Sequence, residues 1–225
     1  MSNHRVDAAH NRIALADRGD DLYQTPGVAV RALLGIEWLP HRIWEPACGP
    51  GSIVRELRGS GHEVIATDLV DYGCEGQAHG IDFLMERSAP AGVDCIVTNP
   101  PFKNAGAFVA KALELCPRVV MLLRLAFLES EVRRPILDGG SLARVHVFRK
   151  RLPQMHRAGW EGPKANSGMA FAWFVWDRAH RGPTGLSRVS WEEFGSADEP
   201  PAPRVVRAAR GVPLLEPAPL LLAAE

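Results

Sequence analysis

Short apolar runs alternate with stretches of helical periodicity along this chain, starting near Thr25. The apolar runs have the length of buried strands, and the stretches between them repeat apolar positions every three to four residues, as amphipathic helices do. The pattern predicts helices at 25–34, 52–57, 104–115 and 129–137, and strands at 42–47, 63–69, 80–84, 93–99, 119–123, 144–148 and 169–176.

This alternation is typical of an α/β protein with an open, mostly parallel sheet and helices on both faces. Ligands of such sheets bind beyond the carboxyl ends of the strands. The 225 residues, 46% hydrophobic and 23% charged, are enough for one such domain. We expect a flexible leader at 1–20, one domain at 21–195, and a disordered tail at 196–225, where six prolines and seven alanines fall in thirty residues.

Several classes of protein are disfavoured by what the sequence lacks. No apolar run approaches the roughly 18 residues that span a membrane, and the first twenty residues carry no apolar signal core. We therefore expect a cytoplasmic protein with no membrane partner. The four cysteines form no Cys-x-x-Cys pair, so we expect no metal site.

The formal net charge is zero, but one segment concentrates basic residues. Between 142 and 164 they outnumber the single acid, Glu161. This segment is either a solvated face or an edge that contacts nucleic-acid phosphates. The candidates for phosphate contact are Arg149, Lys150, Arg151, Arg157 and Lys164.

A glycine-rich turn after the first predicted strand indicates a cofactor pocket. Gly49 and Gly51 allow backbone to pass close to a ligand, and Glu45, just before the turn, can pair with a cationic amine. Asp68 ends the second predicted strand, where a carboxylate can accept hydrogen bonds from ribose hydroxyls. A dinucleotide is disfavoured because the third glycine of its fingerprint is missing. A tight turn without a ligand is the remaining alternative.

A second motif, Asn99-Pro100-Pro101-Phe102, follows a buried strand and carries most of the predicted chemistry. The two prolines lock the backbone and remove two N–H donors. The Asn99 side-chain oxygen and the Pro100 carbonyl are then two acceptors that suit an NH₂ group. Holding both of its hydrogens localises the nitrogen lone pair for attack on a methyl donor held in line. Phe102 offers a face on which a flat substrate can stack.

The two motifs together resemble those of the amino-methyltransferases, especially the DNA adenine-N6 methyltransferases of bacteria and phages. A further match is the segment Asp21-Leu22-Tyr23-Gln24-Thr25-Pro26, which is similar to the aromatic-x-Thr-Pro element of that family. The resemblance covers about 21–176. It implies a Rossmann-like methyltransferase fold with a mostly parallel, seven-stranded sheet, S-adenosylmethionine as the cofactor, and DNA as the substrate.

The resemblance also implies a role for each matching residue. The expected cofactor-binding residues are Tyr23, Thr25, Pro46, Ala47 and Leu69, with Glu45, Gly49 and Gly51 at the methionine part, Asp68 at the ribose, and Asp82 and Phe83 beside the adenine. The expected catalytic residues are Asn99 and Pro100, which grip the target amine, with Pro101, and Phe102, which stacks on the base.

Other substrates stay open at this point. The Asn-Pro-Pro signature also occurs in guanine-N2 methyltransferases of ribosomal RNA and in glutamine methyltransferases of release factors, which usually carry Asp-Leu-Gly-x-Gly in place of the residues at 45–49. Cytosine N4 is likewise an exocyclic amine. A non-catalytic DNA-binding module of the same fold is a further alternative, although both motifs are intact. Phe102 replaces the commoner tyrosine, and only about 150–168, with residues after 176, could form a recognition part.

Overall fold

The computed structural model describes residues 22–153 and 168–196. Within these ranges eight strands form one sheet in the order β3-β2-β1-β4-β5-β7-β6-β8. The strands are β1 (Arg42–Glu45), β2 (Glu63–Thr67), β3 (Gln77–Ala78), β4 (Cys95–Thr98), β5 (Arg118–Arg124), β6 (Leu142–Phe148), β7 (Phe171–Asp177) and β8 (Gly185–Val189). The α-helices are α1 (Gly27–Ile36), α2 (Ser52–Gly59), α3 (Ala105–Leu115) and α4 (Arg134–Leu137).

The sheet is mostly parallel, as the alternation of strands and helices predicts. Only β7 runs against its neighbours, pairing antiparallel with β5 and β6. The order of the strands reverses between β1 and β4, which lie side by side although β2 and β3 intervene in sequence. Such a reversal opens a crevice at the carboxyl ends of the two strands.

Two expectations about strands were wrong. The predicted third strand at 80–84 is instead a turn followed by a 3₁₀ helix at Phe83–Met85, because the Asp82 carboxylate accepts a hydrogen bond from the Leu84 backbone and bends the chain. The true third strand, β3, has only two residues. An eighth strand, β8, was missed because it lies at the edge of the sheet and is largely exposed, so it has no apolar pattern.

Helices cover both faces of the sheet, as expected, and each face has its own apolar core. Alternate residues of β5 point to opposite faces, as the two-residue period of a strand requires. Val120 and Leu122 belong to the core that contains α1 and α2, whereas Val119 and Met121 belong to the core that contains α3. Between them these two cores fix the relative positions of the strand ends.

A buried ion cluster lies at the amino-terminal edge of β5 and β6, away from the crevice. Glu37, just after α1, accepts hydrogen bonds from Arg118 (2.8 Å) and Arg144, and contacts His146 at 2.7 Å. Arg118 also pairs with Asp177 at 3.1 Å. Arg144 therefore makes a structural ion pair with Glu37, although it lies in the basic segment 142–164 that was considered for contact with phosphates.

A 3₁₀ helix at Trp191–Phe194 packs against α1 after the last strand. The Arg31 guanidinium of α1 donates hydrogen bonds to the carbonyl oxygens of Phe194 (3.1 Å) and Ser196 (2.6 Å). It also pairs with the Glu56 carboxylate of α2 at 2.7 Å. One side chain thus joins two helices to the final turn.

The predicted leader at 1–20 lies outside the described residues, as does the predicted tail except for Ser196. The boundaries of the predicted domain, 21–195, stay predictions. Among the described residues no helix is both long and apolar enough to cross a membrane.

Candidate active site

A cleft of about 390 Å³ opens where β1 and β4 end side by side. Its size is within the usual range of small-molecule sites, about 300–1,000 Å³. All the predicted cofactor-binding and catalytic residues line it except Gly51. These residues are Tyr23, Thr25, Glu45, Pro46, Ala47, Gly49, Asp68, Leu69, Asp82, Phe83, Asn99, Pro100, Pro101 and Phe102.

Asp68 fastens the glycine-rich turn to the end of β2. Its Oδ2 accepts a 2.8 Å hydrogen bond from the Gly49 backbone N–H, and its Oδ1 accepts one of 3.1 Å from Val70. Gly49 has a positive φ of 50°, and a Cβ there would lie 2.8 Å from Leu22 Cδ1. The carboxylate predicted to bind a ribose therefore also shapes the turn that precedes it.

Gly51 does not line the cleft, unlike the other residues predicted to bind the cofactor. It is the N-cap residue just before α2 and has the left-handed conformation, with a φ of 81°. A Cβ at this position would lie 2.6 Å from the Cys74 sulfur. The structural demand for glycine here comes from the backbone conformation and from the packing of Cys74.

Glu45 is a fully buried acid at the floor of the cleft, only 1% exposed. Its Oε1 accepts a 3.4 Å hydrogen bond from the Thr98 hydroxyl, and its Oε2 is enclosed without a hydrogen-bond partner among the described residues. Burial raises the pKa of Glu45 well above its ordinary value, and the nearby Asp68 charge raises it further against the opposing Thr98 hydrogen bond. A buried acceptor of this kind suits a cationic amine.

The side-chain amide of Asn99 uses its NH₂ group within the protein and leaves its oxygen unpaired within the described part of the chain. Its Nδ2 donates hydrogen bonds to the Tyr23 carbonyl oxygen (3.0 Å) and to Thr25 Oγ1 (3.1 Å). Its Oδ1 is enclosed and has no hydrogen-bond partner among the described residues. Because the amide donors are occupied by the 23–25 segment, the atom left for a ligand is an acceptor.

The wall beyond Asp68 is apolar and open. Leu69 is 60% exposed although it lines the cleft, and Val70 and Ile81 lie beside it. Phe83 is 2% exposed and packs edge-on against Trp44, so most of its ring belongs to the core. This wall is suited to an aromatic ring system such as adenine.

Sequence reasoning missed Val70, Tyr72, Ile81 and Asn104 as residues that line the cleft. Val70 and Tyr72 come directly after Asp68, and this position at the end of a parallel strand could have indicated them. Arg124, which does not itself line the cleft, was missed as a neighbour of Phe102. It ends β5, and its guanidinium lies 4.1 Å from the centre of the Phe102 ring.

Phe102 is not an open stacking surface in this structure. Tyr23 stacks on its ring with 4.7 Å between centroids and an angle of 26°. The Arg124 guanidinium lies over the same ring. The predicted contact between Phe102 and a target base therefore requires that one of these groups move.

Two of the predicted phosphate-contacting residues are ion-paired within the chain. Arg149 pairs with Glu193, and Lys150 pairs with Glu192 at 2.6 Å. Arg151 is exposed, while Arg157 and Lys164 lie outside the described residues. The positive charge of Arg149 and Lys150 is thus partly balanced by the 191–194 turn, which the sequence pattern did not indicate.

Several solved structures share this architecture. The methyltransferase subunit of a type I restriction-modification system from Streptococcus thermophilus is 13% identical, with a TM-score of 0.51 over 74% of this chain and 46% of that one. A modification subunit from Vibrio vulnificus is 15% identical, with a TM-score of 0.50 over 76% and 48%. The 23S rRNA methyltransferase ErmE is 16% identical, with a TM-score of 0.50 over 71% and 70%.

The fold is a Rossmann-like methyltransferase fold. The chain spans about half the length of the two modification subunits, and at these identities the likeness concerns the fold alone. No family model and no curated protein matches the sequence. Within this methyltransferase fold, the cleft at the reversal of strand order is the place where the two predicted motifs meet.

Proposed function

We propose that this chain is an S-adenosylmethionine-dependent methyltransferase that methylates an exocyclic amine, N6 of adenine in DNA. The observation that carries the proposal is the pairing of two unsatisfied acceptors in one cleft. Glu45 Oε2 and Asn99 Oδ1 are both enclosed, and neither has a hydrogen-bond partner among the described residues. Buried acceptors without partners are rare in folded proteins and indicate groups that a ligand satisfies.

The residues present fit the proposed cofactor. Glu45 would hold the ammonium of its methionine part, Asp68 its ribose hydroxyls, and the apolar wall at Leu69 and Val70 its adenine. When bound, S-adenosylmethionine supplies a methyl group carried on a positively charged sulfur. The Gly49 turn, fixed by Asp68, leaves backbone close to this cleft.

The other end of the cleft fits an amine. Asn99 Oδ1 and the Pro100 carbonyl would accept the two N–H groups of the substrate and so localise the lone pair on its nitrogen. Because Asn99 Nδ2 is held by Tyr23 and Thr25, its Oδ1 is fixed in position before the substrate arrives. Preorganised acceptors of this kind need no reorientation during the reaction.

DNA is favoured over other substrates by the motif itself. The residues at 45–49 match the Glu-Pro-Ala-Cys-Gly form that resembles the DNA enzymes, not the Asp-Leu-Gly-x-Gly form of the RNA guanine and protein glutamine enzymes. Two of the similar structures are the modification subunit of a putative type I restriction enzyme and the methyltransferase subunit of a type I restriction-modification system. The exposed Arg151, with Arg157 and Lys164, stays proposed as a contact to DNA phosphates.

The test is to incubate the protein with radiolabelled S-adenosylmethionine and, separately, unmethylated DNA, ribosomal RNA and bacterial protein extract. The labelled polymer is then digested and the modified unit is identified. We expect label in DNA as N6-methyladenine, and none with the Asn99→Ala variant. Label confined to RNA or protein would overturn the substrate, and the absence of all label despite cofactor binding would favour a non-catalytic module.

A further inference from the structure

Both faces of the Phe102 ring are covered. Tyr23 is stacked 4.7 Å away between centroids, and the Arg124 guanidinium lies 4.1 Å from the ring centre. Two flat groups this close to one ring cannot share a face, so each occupies its own. A base can stack on Phe102 only after one of these groups has left.

Of the two covers, Arg124 is the one free to leave. The main chain of Tyr23 is held by the hydrogen bond from Asn99 Nδ2 to its carbonyl oxygen, and Tyr23 lines the cleft. Arg124 Nε is enclosed and has no hydrogen-bond partner among the described residues. An enclosed donor without a partner is energetically unfavourable, and the long stem of Arg124 can swing without moving the strand.

The chemistry of Arg124 indicates what it would bind. A guanidinium presents a planar fork of N–H donors that matches the oxygens of a phosphate. The cleft beside it carries the acids Glu45, Asp68 and Asp82, so an anionic group of the substrate is better placed at the Arg124 end. Every nucleotide carries such a group, whereas a glutamine side chain carries none.

We propose that Arg124 covers Phe102 in the free protein and moves to a phosphate beside the target nucleotide when DNA binds. Its departure exposes the ring face on which the base stacks. Arg124 is thus a positioning residue that couples contact with the DNA backbone to opening of the base site. This inference rests on the proposed function, since it needs a nucleotide substrate.

Three variants test the inference. Arg124→Gln removes the charge, and Arg124→Lys keeps the charge without the planar fork. Arg133→Gln is the matched control, because Arg133 also covers an aromatic ring, Phe127, at 4.4 Å, but that ring belongs to the core on the other face of the sheet from Phe102. For each, we would measure the affinity for a duplex oligonucleotide over a series of salt concentrations, the KM for DNA, kcat, and the affinity for S-adenosylmethionine.

We expect Arg124→Gln to lower the slope of log affinity against log salt by about 0.9, the value for one lost phosphate contact. Its KM for DNA should rise about tenfold, as for a lost charged hydrogen bond, with the affinity for the cofactor unchanged. Arg124→Lys should keep the salt slope and show a smaller rise in KM. Arg133→Gln should match the wild type in all four measurements.

The two proposals fail in different ways. If the wild type methylates DNA and Arg124→Gln keeps both the salt slope and the KM, the role of Arg124 is wrong and the proposed function stands. If Arg133→Gln changes the slope as much as Arg124→Gln does, the effect belongs to general surface charge and the inference is likewise wrong. If the wild type methylates only a protein, the proposed DNA function fails and this inference fails with it.

Discussion

Asn99 at the end of β4 holds the main chain of Tyr23, 76 residues earlier, through a hydrogen bond of 3.0 Å from its Nδ2 to the Tyr23 carbonyl oxygen. This contact joins the residue proposed to grip the substrate to the segment proposed to cover the cofactor. It also decides which Asn99 atom faces the cleft, because the amide donors are already in use.

Asn99→Ala should therefore lower kcat by about 100-fold or more, the loss typical of one preorganised polar group at a reacting centre. The affinity for S-adenosylmethionine should fall far less, through loosening of the 23–25 segment. Single-turnover kinetics and calorimetry separate the two effects. Thr25→Val removes one acceptor of Asn99 Nδ2 and should lower kcat by less than about tenfold. Equal losses of turnover and cofactor affinity in Asn99→Ala would contradict the assignment.

Glu45 should release a proton when the cofactor binds. Its pKa is raised in the free protein by burial and by Asp68, so part of the population is protonated at pH values above its ordinary pKa. A bound ammonium favours the carboxylate, so affinity should rise as the pH increases through the raised pKa of Glu45 in the free protein. Calorimetry in buffers with different ionisation enthalpies measures the released proton.

Glu45→Gln should abolish that proton release and weaken binding by about 1.5–3 kcal/mol, the contribution of a charged hydrogen bond. The control is Glu63→Gln, which removes an acid that pairs with Arg42 on the protein surface. On binding the cofactor, the Glu63→Gln variant should release a proton as the wild type does. A wild-type binding enthalpy that is the same in every buffer would contradict the prediction, because it would show that no proton is released.

Asp68→Ala should weaken cofactor binding by about 1–3 kcal/mol. The substitution removes the acceptor of the Gly49 and Val70 N–H groups as well as the proposed ribose contact. Thermal unfolding without cofactor measures the first effect, and titration with cofactor measures both. An unchanged affinity would show that the ribose is bound elsewhere.

Glu37→Gln should lower the free energy of unfolding by about 1–3 kcal/mol at pH 7, because it removes the buried carboxylate that Arg118, Arg144 and His146 share, while Arg118 keeps its pair with Asp177. Burial raises the pKa of Glu37, but hydrogen bonds from His146 and Arg144 more than offset this and lower it overall. With a depressed folded pKa, the stabilisation is present above the unfolded pKa of about 4.3 and is lost as the pH falls through the folded value. Denaturant unfolding of both proteins at pH 7 and pH 3.5 should therefore show a smaller difference at the lower pH.

The sequence was sufficient for the features that are local along the chain. The strands β4 and β5 are built on apolar runs and β1 on the apolar pair Ile43 and Trp44; the first motif begins at Glu45, the last residue of β1, and Asn99 directly follows β4. Since parallel strands end at one edge of a sheet, their meeting in one cleft follows from the order of elements.

Contacts between segments that are distant in sequence could not be predicted from the pattern of residues along the chain. Arg144 appeared as one of a basic series, but its partner Glu37 is 107 residues away. The sequence predicts Lys150 as a phosphate contact but does not indicate its ion pair with Glu192, 42 residues later. Arg124 is a lone charge after an apolar strand, and only the packing of the chain places it over Phe102.

The packing of the 3₁₀ helix at Trp191–Phe194 against α1 limits how far the chain can be shortened at its carboxyl end. Arg31 uses the backbone carbonyls of Phe194 and Ser196, so trimming the chain before Trp191 would remove acceptors from a buried guanidinium and uncover one flank of α1. A shortened form should express poorly and precipitate on concentration. Purification tags and fusion partners are better attached after Ser196, where the carbonyls that Arg31 uses are left in place.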